Sequence, residues 1–476
     1  MKTQIQKVLI GLFVLFPATV GAQPQVPPTA PVKPTVVQMT LHPAPLVGLP
    51  FRYRLLPDME DLEPGNAAPL YLLACSRNLM VGADNKDNNT AMEEMESLAP
   101  DKIDRARAKK LIAAFGFALR HLELGARREL CHWDLPERTE GFNTLLPHLG
   151  EMRMLSRLLS LQAKVQIADG KYDDAAHTLQ TGMAMARHLD SEAFEIQQLV
   201  AAAVMESMLT RVEQWIATPG SPNLYWAVTD LPSPYLDLRS ALRFERANAY
   251  RSMPHLKEAV DGKLTAEHFR ELSAKWIQLH EDMGKASEIH DNPVAAPAIN
   301  DVGALTPKAK TALREMGYTD KALEAMAPEQ LIGLWWGQSY ERAFEESTKA
   351  LSLPLHQDPY MPWTDGSPEK KLPRDPSNPL LEMLPTIRNA RLSVTRVDRH
   401  IGQLRCLEMI RAYAAVHDGS APETLAAIPG IPVAVDPATG LPYQYHVDAG
   451  TIVIEAPIPP GGQARHAWKF EIKLEK

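Results

Sequence analysis

The chain has 476 residues, of which 45% are hydrophobic and 23% charged, with a formal net charge of −8. Length and composition describe a globular protein able to bury large cores, with room for two or three domains. The acidic balance argues against nucleic acid or an anionic membrane surface as a partner.

The first residues pair a positive head, Lys2 and Lys7, with an apolar run from Val8 to Val20 and then Val20-Gly21-Ala22. A run this short, interrupted by Pro17 and followed by small residues, predicts a secretory signal peptide over residues 1–22, cut after Ala22, rather than a spanning anchor. The mature chain is therefore expected in the periplasm or outside the cell, with no stable membrane insertion after cleavage. Residues 23–46 are proline-rich and nearly uncharged, which predicts an extended tether. The three cysteines, Cys75, Cys131 and Cys406, form no CxxC pair. Two of them joined across the fold, or three buried small hydrophobes, are both compatible with that spacing.

From residue 47 to 352 the pattern predicts a helical array. Pro64-Gly65-Asn66 marks a turn before a first helix at Ala67–Met80, and Asp84–Asn89 reads as a polar connector. Lys102–Leu130 keeps Ile103, Leu111, Phe115, Leu119 and Leu122 near one helical face. Leu145–Ala168, Tyr172–His188 and Ser191–Ile216 continue the period with short connectors, so successive helices must pack antiparallel. In this stretch Gly170, Tyr172, Ala175 and Leu179 resemble the glycine, tyrosine, alanine and large apolar positions of one tetratricopeptide repeat. The resemblance implies close helix contact at the two small residues.

Ser221-Pro222 and Ser233-Pro234 read as helix starts, for Asn223–Thr229 and for Tyr235 to Tyr250. Further helices are predicted at Thr265–Glu288, Thr306–Gly317, Asp320–Met326 and Pro328–Ser352. The last carries Trp335, Trp336, Tyr340 and Phe344, an aromatic stripe that suits a core or a ligand groove. Residues 353–385 form a proline-rich loop containing Tyr360 and Trp363. Trp335, Trp336, Tyr360 and Trp363 are accordingly the candidate interaction surface.

The C-terminal unit, 386–476, begins with a long helix over Pro385–His417, stopped by Asp418-Gly419. Asp436-Pro437-Ala438-Thr439-Gly440 is turn material. Tyr443, Tyr445 and Val447 alternate along one strand, and Ile452 and Ile454 along the return strand after Ala449-Gly450. A last strand at Ala467–Leu474 completes a small antiparallel sheet. This order, a helix ending in Tyr413…Asp418-Gly419 and then a DP…G-x-PY hairpin, resembles the globular headgroup of type II secretion pseudopilins. The resemblance implies an accessory role in a secretion or pilus-like system, and a calcium site near Asp418 and Asp436. Here the unit follows hundreds of helical residues rather than its own membrane helix, which departs from that pattern. Taken whole, the stretches from Pro64 to Tyr71, from Pro222 to Ala227 with Leu231-Pro232, and from Leu404 onward are similar to a group of uncharacterised exported proteins of planctomycete bacteria. That group implies no activity.

Motifs for chemistry are missing from the sequence. There is no GxGxxG or GxxxxGK[ST] phosphate cradle, no HExxH and no GxSxG. His280, Glu281, Asp282, His290 and Asp291 are the densest potential metal ligands, but a helix would set the two histidines about 15 Å apart. His356, Asp358, Asp365 and Asp375 lack the spacing of an EF-hand. The sequence thus predicts a mainly α protein: a multi-helix antiparallel array, tetratricopeptide-like in part, with a small C-terminal α+β unit. It predicts a non-catalytic scaffold for an envelope protein partner, with no cofactor and no metal. The alternatives are an envelope hydrolase or carbohydrate-binding protein with a site between the array and the 353–380 loop, and the secretion accessory.

Overall fold

The computed structural model describes residues 34–80, 84–141, 144–191, 194–286, 301–358, 375, 377–384, 387–428, 430–459 and 462–475. The predicted leader lies outside them. In chain order the elements are β1 (Thr35–Leu41), β2 (Glu63–Asn66), α1 (Ala68–Met80), α2 (Asp84–Ser97), α3 (Arg105–Ala114), α4 (Gly116–Ala126), β3 (Arg128–Leu130), α5 (Glu137–Glu140), α6 (His148–Ala168), α7 (Tyr172–Asp190), α8 (Glu195–Ala217) and α9 (Tyr225–Thr229). They continue with α10 (Leu238–Ser252), α11 (Leu256–Val260), α12 (Ala266–Ala286), α13 (Val302–Glu315), α14 (Asp320–Glu324), α15 (Pro328–Lys349), α16 (Ile387–Val416), β4 (Gln444–Asp448), β5 (Thr451–Ala456) and β6 (Trp468–Leu474). The protein is mainly α with a small C-terminal α+β unit, as its periodicity predicts. Among the described residues no helix is long and apolar enough to cross a membrane.

Helices α6, α7 and α8 form the centre of the array, each packed on the other two. Their short connectors force the antiparallel arrangement. The tetratricopeptide-like pair works differently from its expected logic. Gly170 holds φ +70° and a Cβ there would touch nothing within 4 Å, so the glycine serves the left-handed turn, not a close approach. Ala175 and Leu179 are fully buried, and Tyr172 packs on Trp215 with ring centroids 4.9 Å apart.

Two local expectations are corrected on the N-terminal side. The polar connector at Asp84–Asn89 is the first half of α2, which packs on α6 and buries Met92 and Met95. Its C-terminal carbonyls are capped from α6: Lys164 Nζ donates to Met95 O at 3.1 Å, to Glu96 O at 2.7 Å, and to Leu98 O. A buried ammonium at a helix C-terminus answers both the orphan carbonyls and the helix dipole. The single helix expected over Lys102–Leu130 is two helices, α3 and α4, broken at Phe115 (φ −96°, ψ 15°). Asp104 starts α3 by accepting from the backbone N–H of Ala106 and Arg107, both at 3.0 Å. The chain after α4 is strand β3, parallel to β2.

The terminal sheet has the order β1-β6-β5-β4, with β5 antiparallel to both its neighbours and β1 parallel to β6. The second half of the predicted tether is therefore a strand, in register from Thr35 opposite Trp468 to Leu41 opposite Leu474. The β4–β5 hairpin turns through Ala449 (φ +46°) and Gly450 (φ +83°), the double positive φ that matches strand twist. Tyr443 and Tyr445 fasten its first strand. The hydroxyl of Tyr443 donates to Arg399 O at 2.8 Å, and that of Tyr445 to Pro422 O at 2.6 Å.

Helix α16 is not the outermost helix of the array. It packs along α8 and α9, with β5 on another side. One hydrophobic cluster runs from Leu41 through the array to Ile472. A boundary at residue 386 therefore divides the chain without dividing the core. Cys75, Cys131 and Cys406 are buried thiols, and burial pushes those of Cys75 and Cys406 up to about 12.

Candidate functional site

Trp335 and Trp336 lie in α15, 4% and 1% exposed, in the common core. Trp336 stacks on Phe269 at 5.4 Å and donates its indole N–H to Ser377 O at 2.9 Å. These two positions are thus corrected from interaction surface to core, because the helix that carries them is packed on α11, α12 and α13. At Gly337 a Cβ would come within 2.7 Å of the Val260 backbone, so this helix and α11 cross as closely as the chain allows. Tyr360, Trp363 and Asp365 lie outside the described residues, as do His290, Asp291 and the side chains of His280, Glu281 and Asp282.

Three of the carboxylates weighed for calcium, Asp358, Asp375 and Asp436, have other partners. Asp358 is buried against the Arg391 guanidinium, and Asp375 accepts from Ser377 N at 2.8 Å. Asp436, 1% exposed, receives Arg399 through two parallel hydrogen bonds, Nε to Oδ1 and Nη2 to Oδ2, both 2.9 Å. Its Oδ1 also accepts from Ala438 N at 2.9 Å, which shapes the turn. A guanidinium fills the place a cation would take.

Arg399 belongs to a polar spine along α16. It also donates to His466 O at 2.7 Å, joining helix to sheet. His400, fully buried, lies between Glu206 (Nδ1 to Oε2, 3.0 Å) and Glu213 (Nε2 to Oε1, 2.6 Å), one turn pair apart on α8. Burial alone would push this imidazole down, but the two glutamates outweigh it and hold the pKa at about 9. Two turns on, Glu408 accepts from Leu224 N at 2.8 Å and pairs with Arg411 at 3.0 Å. Arg411 in turn donates to Ser221 O and to His42 O, at 2.7 and 3.0 Å. The spine thus binds together the array, the segment leaving β1, the 221–224 loop and the sheet.

Perturbed acids also occur in the interior. Glu195 N donates to Glu245 Oε1 at 3.4 Å, and burial raises both carboxyls to about 7, helped at Glu245 by the charge of Glu195. Such a pair suits general acid work only where substrate can reach it. Glu195 and Glu245 are 9% and 7% exposed and line neither of two open surface depressions beside α12.

Those depressions are open hollows of about 520 and 530 Å³. The first, between α5 and α12, is rimmed by Arg138, Arg251 and Lys275 with Glu140 as its acid. The second runs along α12 past Phe269, Arg270 and Ile277 to Glu329. Neither lining brings a nucleophile, base and orienting acid together.

Beside the first hollow stands a cluster that the sequence reading passed over. His255 opens α11 with φ +60°, and its ring stacks on that of His268 in α12, centroids 3.7 Å apart and planes 11° from parallel. Glu258 bridges them, with Oε1 3.1 Å from His255 Nδ1 and Oε2 2.5 Å from His268 Nδ1. Glu271 stands 2.9 Å from His255 Nε2. Glu271 and Glu258 raise the pKa of His255, and the two histidines lower that of Glu258. Among the described residues this is the one group of three histidine, cysteine or acidic side chains whose ligand atoms all lie within 4.8 Å. The signal in the sequence is a doubled H-x-x-E, His255…Glu258 and His268…Glu271.

Fold and polar chemistry together define a helical protein whose interior charges serve to join its parts. No family model matches the chain, and no curated protein or solved structure is significantly similar to it.

Proposed function

We propose that this chain is an exported, non-catalytic scaffold that holds a protein partner of the cell envelope. The observation that carries the reading is the α16 spine. Arg399, His400, Glu408 and Arg411 are buried, and each is matched by a charged or backbone partner on a different element. Such pairs add little net stability over apolar packing, but they fix geometry, because every wrong arrangement strands a buried charge. A rigid frame is what a scaffold needs. The leader-like first 22 residues support export, and the acidic net charge supports a protein rather than a nucleic-acid partner.

On this reading the contact includes the loop between β1 and β2, which exposes Leu49 by 74%, Phe51 by 45% and Met59 by 84%. Three exposed apolar side chains within eleven residues of one loop offer a protein partner apolar surface to cover. The test is chemical crosslinking of the mature chain, residues 23–476, in envelope extract, beside the double variant Leu49→Asp/Met59→Asp. A stoichiometric protein adduct that the variant loses, with its circular dichroism unchanged, supports the reading. Absence of any stoichiometric adduct, together with turnover of an envelope glycan or ester by the purified chain, sinks it.

A further inference from the structure

We propose that His255, His268 and Glu258 form a divalent transition-metal site of the zinc class, with Glu271 as the positioning residue of His255. The ligand set is two imidazole nitrogens and one carboxylate, the composition of three-ligand zinc sites that keep a fourth position for water. Both histidines turn Nδ1 toward the same carboxylate, at 3.1 and 2.5 Å. In a tetrahedral site with bonds of about 2.0–2.2 Å the ligand atoms stand roughly 3.3 Å apart. A withdrawal of Glu258 by about 1 Å, together with a turn of the two stacked rings that aims both Nδ1 lone pairs at one point, makes room for an ion of that size.

Three further features distinguish the cluster from an ordinary surface ion pair. First, Glu271 lies 2.9 Å from Nε2, the nitrogen of His255 that the site does not use. A carboxylate on the far nitrogen of a ligating histidine is the usual outer partner, because it fixes the tautomer and strengthens the ligand. Second, the site comes from two elements: His255 and Glu258 from the start of α11, His268 and Glu271 from one face of α12. An ion there would lock the corner between these helices. Third, the side chains of His255, Glu258 and His268 are 21%, 37% and 33% exposed, so an ion can enter from solvent and the rings are free to turn toward it. Without the metal, the two Nδ1 atoms are hydrogen-bonded to the carboxylate, and an ion there takes the place of those hydrogen bonds.

The experiment is calorimetric titration of the untagged mature chain with Zn²⁺ alone, followed by Co²⁺ to read coordination from its visible spectrum. One equivalent is expected to bind, with a tetrahedral cobalt spectrum. Glu258→Gln and His268→Gln should each weaken that binding at least tenfold. Glu271→Gln should weaken it by roughly 10–100-fold while leaving the cobalt geometry tetrahedral, as an outer partner does. Each position lies at the surface, and circular dichroism confirms the fold of each variant. Stoichiometric uptake unchanged in Glu258→Gln and His268→Gln would place the ion elsewhere and overturn the assignment. So would a folded wild-type chain that takes up no stoichiometric zinc.

Discussion

His400 and His255 meet the same chemistry, an imidazole between two glutamates, at opposite degrees of burial. His400 is fully enclosed between α8, α16 and the sheet, with Trp468 4.2 Å away and Glu206 and Glu213 on its two nitrogens. His255 sits at the protein surface between Glu258 and Glu271. In the interior the imidazole itself is shut off from water, and its two partly exposed glutamates act on it through a lower dielectric, so the group becomes part of the fold. At the surface water and salt screen the same charges, and the side chains stay available to exchange their hydrogen bonds for something else.

That contrast can be broken at four points of decreasing effect. Arg399→Ala strands Asp436 in the core, and urea unfolding at pH 7 should show a loss of about 3–5 kcal/mol, the usual result of removing half of a buried pair. A substantially smaller loss would mean that water enters the spine.

His400 makes the second prediction, through pH. Its folded pKa of about 9 lies above the ordinary 6.5, so the protonated form is favoured in the folded state. Its stabilisation is complete below about pH 6.5 and disappears as pH rises through about 9, by on the order of 3 kcal/mol. His400→Gln should remove that slope from the curve of unfolding free energy against pH.

Glu245 sharpens the comparison, since it is buried and, among the described residues, no cation forms an ion pair with it. Its carboxyl is raised from 4.5 to about 7, so the folded state keeps a proton that the unfolded chain gives up. The stability tied to that proton is present below about pH 4.5 and lost as pH rises through 7. Glu245→Gln should therefore stabilise the chain at pH 8, by roughly 1–3 kcal/mol. A neutral or destabilising result would show that the carboxylate has a partner when ionised.

At the small end, Glu258→Gln without added metal should leave the melting temperature unchanged, because the exposed histidine contacts contribute little to folding. A clear drop would move this cluster into the structural class of His400.

Much of the fold was legible because it is local. The period of α6, α7, α8 and α16, the stop at Asp418-Gly419 and the Ala449-Gly450 turn each write themselves into adjacent residues. What escaped depends on distant partners. Thr35–Leu41 reads as a tether among prolines, since what makes it a strand is β6 at the other end of the chain. Asp84–Asn89 reads as a connector because Lys164, which caps its helix, is on α6. Trp335 and Trp336 belong to a helical stripe, and a stripe shows that one face is covered without saying by what. The His255 cluster stayed hidden because its four side chains meet only through a left-handed residue and a helix corner. The denser run at His280–Asp291 drew attention by proximity in sequence alone.

The parallel pairing of β1 with β6 also sets a timetable. Gln38 and Glu471, hydrogen-bonded side by side at 3.2 Å, are 433 positions apart. At 5–20 residues per second, about 20–90 s separate their synthesis. Until β6 is present to pair with it, and for an exported chain until both have crossed the membrane, Thr35–Leu41 has no neighbour in the sheet. Among the described residues β6 is the one partner of β1, so a chain interrupted anywhere before Trp468 leaves Thr35–Leu41 unpaired.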